Sequence, residues 1–217
     1  MNNPVSGDAE KFQLGHHICS IFNTNEQQFL PLISFFNEGL TSKQKCLYIL
    51  GAQTAYDVIN EFDSRGVRVR DYADSKQLVF LTKDETYLRD GYFEADKMIS
   101  IIKKIENQSL SEGYTGVRGS GDMTWAIGDP LVKEKMFNYE IKLNQLLSEG
   151  KIAAFCRYDE RKFPKELLIK AIRTHPYLII YGKFYENKYF YSPPEYVSNE
   201  DLPDESYETI ISLITEN

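Results

Sequence analysis

No apolar run in this sequence approaches the ~20 residues that a membrane-spanning helix needs. The N-terminus, MNNPVSGDAEKF, carries neither the basic nor the apolar block of a secretory signal. A cytoplasmic location with no membrane partner is therefore expected. Cysteine is scarce: Cys19, Cys46 and Cys156 each lie in an apolar, strand-like stretch, and no CxxC spacing occurs. That is the pattern of buried reduced thiols, not of a disulfide framework. Positive charge is also in short supply, with 25 Lys and Arg against 32 Asp and Glu and a net charge of −7. A phosphate-binding surface concentrates Lys and Arg, so direct nucleic-acid binding is not expected. The densest basic pairs, Lys103-Lys104 and Arg161-Lys162, read as solvated helix faces.

A further absence concerns residues 18–40, ICSIFNTNEQQFLPLISFFNEGL, which read as strand, turn and helix. Many nucleotide-binding α/β proteins keep a glycine-rich phosphate loop in such a turn. There, backbone N–H groups close around the phosphates and a lysine meets the outer ones. Here the turn is Asn23-Thr24-Asn25-Glu26, with no glycine and no lysine. Glu26 would repel a phosphate at the helix start.

What is present is an ordinary globular composition, 42% hydrophobic and 26% charged over 217 residues. The chain is expected to form a single domain spanning 1–217, with its core at about 14–195 and a short acidic tail. Apolar runs predict strands at 17–22, 46–50, 67–69, 78–82, 114–118, 152–157 and 177–181. Three-to-four spacing predicts helices at 26–38, 55–64, 92–107, 130–148 and 164–173. Asp129-Pro130 reads as an N-cap followed by proline at the first helical position. The alternation implies α/β architecture: three layers with a mainly parallel sheet. The aromatic segment around Asn187, KFYENKYFYS, suggests a C-terminal β-hairpin on the sheet edge, closed by Pro193-Pro194.

Several groups stand out chemically. The stretch from Gly116 to Trp125 holds three glycines, Arg118, Asp122 and the only tryptophan directly after a predicted strand. It reads equally as a binding loop at the carboxyl end of the sheet or as a long structural connection. Tyr139-Glu140-Ile141-Lys142-Leu143-Asn144 places Glu140 and Asn144 on one helix face, either a polar pocket wall or a solvated edge. His17, Cys19, Cys156 and His175 have the chemistry of a tetrahedral zinc set. Their spacing does not demand one, and strand cysteines are commonly small core residues, so no metal is expected. Neither Cys19 nor Cys156 has an activating loop or helix start that would make it a nucleophile.

In order along the chain, these stretches resemble a known family. They are His17-Ile18-Cys19; Phe36-x-x-Gly39-Leu40 with Lys45-Cys46-Leu47-Tyr48-Ile49; Tyr87-Leu88-x-x-Gly91-x-Phe93; and Gly113-Tyr114 through Arg118 with Gly121-Asp122-Met123 and Trp125. They continue in Tyr139-Glu140-x-x-Leu143-Asn144, Cys156-x-Tyr158-Asp159 and Thr174-His175-Pro176. The set resembles the MEDS domain, the sensory domain of the methanogen/methylotroph DcmR type, over about residues 14–195. The resemblance implies a RecA/KaiC-like core whose phosphate loop has been lost. It also implies a sensor of small hydrocarbon derivatives that regulates transcription or signalling. Members often carry a DNA-binding or histidine-kinase domain. No such segment fits in this sequence, so output is expected through a separate signalling protein (a kinase or transcription regulator) or through homo-oligomerisation.

The sequence therefore supports a non-enzymatic cytoplasmic sensor without cofactor or catalytic residues, binding a small organic ligand at the carboxyl ends of the strands. The expected ligand-site residues are Arg118, Asp122 and Trp125 from the loop, with His17, Tyr139, Glu140, Asn144, Tyr158 and His175. Two other readings compete. One is a residual nucleotide hydrolase using Asp122 or Glu140 with magnesium; the other is an interaction module without a ligand.

Overall fold

The computed structural model describes residues 12–127, 130–191 and 206–216. The expected N-cap Asp129, the Pro193-Pro194 stop and most of the acidic stretch 199–206 lie outside these residues. Within the described residues seven strands form one sheet: β1 (His17–Phe22), β2 (Lys45–Ile49), β3 (Leu78–Leu81), β4 (Val117–Asp122), β5 (Ile152–Asp159), β6 (Tyr177–Ile180) and β7 (Lys183–Glu186). Among the described residues seven α-helices connect or flank them: α1 (Asn25–Thr41), α2 (Ala55–Ser64), α3 (Arg70–Asp74), α4 (Ala95–Ser111), α5 (Pro130–Glu149), α6 (Lys165–Thr174) and α7 (Tyr207–Thr215). The spatial order is β3-β2-β4-β5-β1-β6-β7, and every pairing is parallel except β6 with β7.

Both faces of the sheet are covered, which is why its central strands are almost continuously apolar. On one face Ile18, Tyr48, Phe155 and Ile179 pack with Phe29, Phe35 and Phe36 of α1 and with Val58 and Phe62 of α2. On the other, Cys19, Ile21, Val117, Cys156 and Tyr158 pack with Met98 of α4, Tyr139 and Leu143 of α5, and Leu168 and Ile172 of α6. Alternate residues of β1 thus serve different layers, as a period of two requires.

Three local expectations are corrected. Residues 67–69 form no strand; Val69 is buried against the α2 side and leads into the short α3, so β3 is the edge of the sheet. The strand expected at 114–118 starts three residues later and runs through Gly119 and Gly121 to Asp122. A Cβ on Gly121 would lie 2.0 Å from the Tyr87 hydroxyl, so the glycine makes room for a packed tyrosine and does not open a loop. The hairpin is on the expected edge, but it pairs β6 with β7. Tyr181 and Gly182 both have positive φ, which a two-residue hairpin turn needs. Asn187 instead donates to Ile172 O and His175 O, tying the strand exit to the end of α6.

Gly39 of α1 has a similar packing role. A Cβ there would approach Arg118 Cδ to 2.6 Å and Cys46 Sγ to 3.1 Å. Gly39→Ala should therefore destabilise the fold by about 1–3 kcal/mol through overpacking, despite alanine's advantage of about 1 kcal/mol in a helix. Urea denaturation measures the balance, and a more stable variant would show that the helix can shift at no cost.

Candidate functional site

The parallel register sets Cys19 of β1 beside Cys156 of β5, with His17 one pleat away on the same face. Over this face runs α5, whose Glu140 is fully buried. The chain leaving α6 brings in His175, also fully buried. Four ligand-type side chains converge in this way: His17, Glu140, Cys156 and His175, whose ligand atoms all lie within 4.8 Å of one another. Among the described residues it is the one cluster of three or more His, Cys, Asp or Glu close enough to hold a metal ion.

The contacts inside the cluster are specific. His17 Nε2 lies 3.1 Å from Glu140 Oε2 and 3.5 Å from Cys156 Sγ. His175 Nε2 lies 3.6 Å from the same carboxylate oxygen. Glu140 Oε1 accepts a hydrogen bond from Tyr158 Oη at 2.9 Å. Asn144, one turn along α5, donates its Nδ2 to Thr174 O at 2.7 Å, so its Oδ1 faces His17 Nδ1 at 2.9 Å as an acceptor. His175 Nδ1 faces Ala171 O at 2.8 Å. Both imidazoles therefore carry a proton on Nδ1 and turn Nε2 towards Glu140. His175 Nε2 makes no hydrogen bond.

Burial governs the electrostatics. It would raise the Glu140 carboxyl, but His175, His17 and the Tyr158 hydroxyl hold it below its ordinary value. Burial, reinforced by the neighbouring His17, pushes His175 down to about 3. Burial and the Glu140 carboxylate together push the Cys156 thiol well up.

Next to this cluster is an apolar cavity of about 60 Å³ between the sheet and helices α4 and α5. Leu47, Gly119, Met98, Ile102, Leu143 and Cys156 are among its walls. Nothing lies within 4 Å of the place where a Gly119 Cβ would project. Tyr87 and Tyr139 also line it. They belong to an aromatic cluster in which Tyr87 stacks on Trp125 at 4.6 Å and Phe93 meets Tyr139 edge-on at 5.7 Å.

The structure thus brings together His17, Glu140, Asn144, Tyr158 and His175, with Tyr139 on the adjoining cavity wall. The expected loop contacts are placed elsewhere. Arg118 is a β4 residue that points to the opposite face, buried beneath α1. Asp122 caps the short 3-10 turn Met123–Ala126 by accepting from Thr124 N at 2.9 Å. With Trp125 it lines a separate cleft at the carboxyl ends of the strands, beside Gly51 and Lys83. The apolar cavity lies under α4 and α5 along the strands, not above their ends. Sequence reasoning did not find its α4 wall or Gly119; a glycine in a strand interior, once the strand is placed, is the signal for open space on that face.

Residues 16–176 match the family described as "MEDS: MEthanogen/methylotroph, DcmR Sensory domain". The chain belongs to the MEDS family. The MEDS chain is 22% identical over 165 residues to the transcriptional repressor DcmR of Methylorubrum extorquens (strain DSM 6343 / CIP 106787 / DM4). That match takes in 73% of this chain and 57% of DcmR, so the MEDS chain spans little more than half of its relative. In structure it is similar to the flagellar accessory protein FlaH of Methanocaldococcus jannaschii, with a TM-score of 0.55 and 11% identity over 84% of this chain and 82% of FlaH. It is also similar to the KaiC-like protein PH0186 of Pyrococcus horikoshii OT3, with a TM-score of 0.57 and 14% identity over 83% and 79% of the two chains. At these identities the likeness establishes the MEDS fold as a RecA/KaiC-like α/β sandwich, and the fold alone. No helix among the described residues is long and apolar enough to cross a membrane.

Proposed function

We propose that this MEDS chain is a non-catalytic regulatory sensor. It takes a small apolar organic molecule, of the hydrocarbon-derivative or one-carbon class, into the cavity beneath α4 and α5. Its output passes through a separate kinase or transcription regulator, or through self-association. The observation that carries the reading is the cavity itself, apolar on nearly every side and about 60 Å³ in volume. An engineered apolar cavity of roughly 150 Å³ accepts benzene, so the space here suits a guest of only a few heavy atoms.

The first turn supports the same reading. Asn23 N donates to Gln27 Oε1, Gln27 N donates to Thr24 Oγ1, and Asn23 Nδ2 donates to Glu160 Oε2. Two backbone N–H groups of the turn and the Asn23 amide are thus already engaged, and a carboxylate lies beside them. The turn has become a capped helix start on a nucleotide-binding scaffold, which favours a sensor over a residual hydrolase. Signal transmission has a short path, because Tyr139 and Leu143 touch the cavity while Glu140 on the same helix turns into the polar cluster.

Thermal shift against halogenated and methylated one-carbon compounds tests the proposal. A guest selective for the folded state stabilises it by about 2.7 kcal/mol at one hundred times its Kd. Gly119→Val should fold, since the added methyls enter open space, yet lose the shift. No shift in the parent chain at saturating guest, or an equal shift in Gly119→Val, would remove the cavity as the sensing site.

A further inference from the structure

We propose that His17 Nε2, His175 Nε2, Glu140 Oε2 and Cys156 Sγ form a closed four-ligand site for a divalent metal ion of the zinc class. This inference is independent of the cavity reading and departs from the absence of metal expected from the sequence.

Geometry is the first support. Zinc bonds to His nitrogen, carboxylate oxygen and thiolate sulfur are about 2.0–2.3 Å long, which places the ligand atoms of a tetrahedron about 3.3–3.8 Å apart. Four of the six separations are 3.1 Å for His17 to Glu140, 3.5 Å for His17 to Cys156, 3.6 Å for His175 to Glu140 and 3.8 Å for Cys156 to Glu140, and all six lie within 4.8 Å. The atoms need little movement to enclose an ion.

The outer partners are the second support. A metal-binding imidazole usually donates its other N–H to a carbonyl or carboxylate, which fixes the tautomer and the ring. His17 does this to Asn144 Oδ1 and His175 to Ala171 O. Glu140 keeps one oxygen for Tyr158 and turns the other inward.

The third support is an unmet need. His175 Nε2 is a fully buried polar atom without a hydrogen bond, and its lone pair is aimed at a carboxylate oxygen. Two imidazole lone pairs and a carboxylate repel one another unless something positive lies between them. A divalent cation bound by two neutral imidazoles, a carboxylate and a thiolate leaves the buried site with no net charge. On binding, the Cys156 S–H bond breaks, its proton passes to solvent, and the thiolate electron pair goes to the metal. The mixed N, O and S set suits zinc or cobalt better than magnesium or calcium, which prefer all-oxygen shells. All four positions come from protein, as in a structural site.

The test uses the full chain, purified under reducing conditions, analysed for metal, then stripped with chelator and titrated with cobalt chloride. The expected result is about one equivalent bound per chain. The spectrum should show the intense red-visible bands of tetrahedral cobalt and a thiolate-to-cobalt band in the near ultraviolet, both displaced by zinc. Cys156→Ser should keep the circular dichroism of the fold and lose the near-ultraviolet band. Asn144→Leu should keep that band but weaken binding about 10–100-fold, the usual effect of removing an outer partner. If Cys156→Ser does not fold, His175→Gln serves, with the tetrahedral bands expected to collapse. A folded parent chain that takes up neither metal overturns the proposal. So does a pale octahedral spectrum, or a thiolate band that survives Cys156→Ser.

Discussion

Arg118→Met is expected to cost the fold about 3–5 kcal/mol while leaving any response to cavity guests intact. The guanidinium is almost wholly buried and its partners all come from the α1 side of the sheet. Nε donates to Gln44 Oε1 at 2.5 Å, Nη1 to Phe35 O at 3.2 Å, and Nη2 to Phe12 O at 2.6 Å and Glu38 Oε1 at 2.8 Å. It also lies over the Phe35 ring at 5.0 Å. The residue bolts the segment before β1, helix α1 and the entry to β2 onto β4. Methionine fills much of the volume but leaves two backbone carbonyls, the Gln44 amide oxygen and a carboxylate without their donor. A buried acceptor left unmet costs about 1–3 kcal/mol, and domains of this kind have only about 5–15 kcal/mol to lose. Denaturant titration gives the stability and thermal shift gives the guest response. Unchanged stability with a lost response would return Arg118 to the ligand site.

That same arginine shows where the sequence was misleading. Next to three glycines, an aspartate and a tryptophan it has the look of a binding loop, because local composition does not distinguish a flexible loop from a strand with unusually close neighbours. Gly121 is small for Tyr87, and Gly39 is small for Arg118; both partners are distant in sequence. Only the sheet register makes them adjacent. The layer architecture was legible for the opposite reason. Apolar runs of strand length and helices such as α1 and α6 carry their periodicity locally, so the α/β sandwich and its edge hairpin follow without knowledge of long-range contacts.

The polar centre falls between these cases. His17, Glu140, Asn144, Tyr158 and His175 stood out individually, as polar residues in or beside apolar runs. Their convergence depends on α5 crossing β1 and β5 and on α6 ending over β1, which no spacing encodes. The zinc set weighed from sequence paired His17 and His175 with Cys19 and Cys156. The structure brings Glu140 into the cluster, while Cys19 remains a buried core thiol. Glu140 is expected in a ligand pocket, but no spacing along the chain pairs its carboxylate with His17, Cys156 and His175.

How tightly that centre is coupled can be measured without metal. In chelator-treated protein, His17→Leu should destabilise the fold by about 3–5 kcal/mol, because it leaves the Glu140 carboxylate buried with a reduced set of partners. His17 Nδ1–H is committed to Asn144, so without a metal the 3.1 Å contact between Nε2 and Glu140 Oε2 is attractive only with a proton held between the two atoms, in the place that the metal would otherwise take. The contact is then a hydrogen-bonded pair inside a dehydrated core, and removing one member leaves the other with its full desolvation penalty. Removing both should not. The double change His17→Leu with Glu140→Leu replaces the pair by apolar groups of comparable bulk, an exchange that is often neutral. What remains lost is the acceptor for Tyr158 and the donor for Asn144, each worth about 1 kcal/mol. The double variant should therefore be more stable than His17→Leu alone, with a coupling energy towards the upper end of the 0.5–3 kcal/mol seen for contacting residues. Urea titrations of the parent chain, both single variants and the double variant complete the cycle. Additive losses would mean that the two side chains act as separate core groups, and the tautomer assignment drawn from Asn144 would then be wrong.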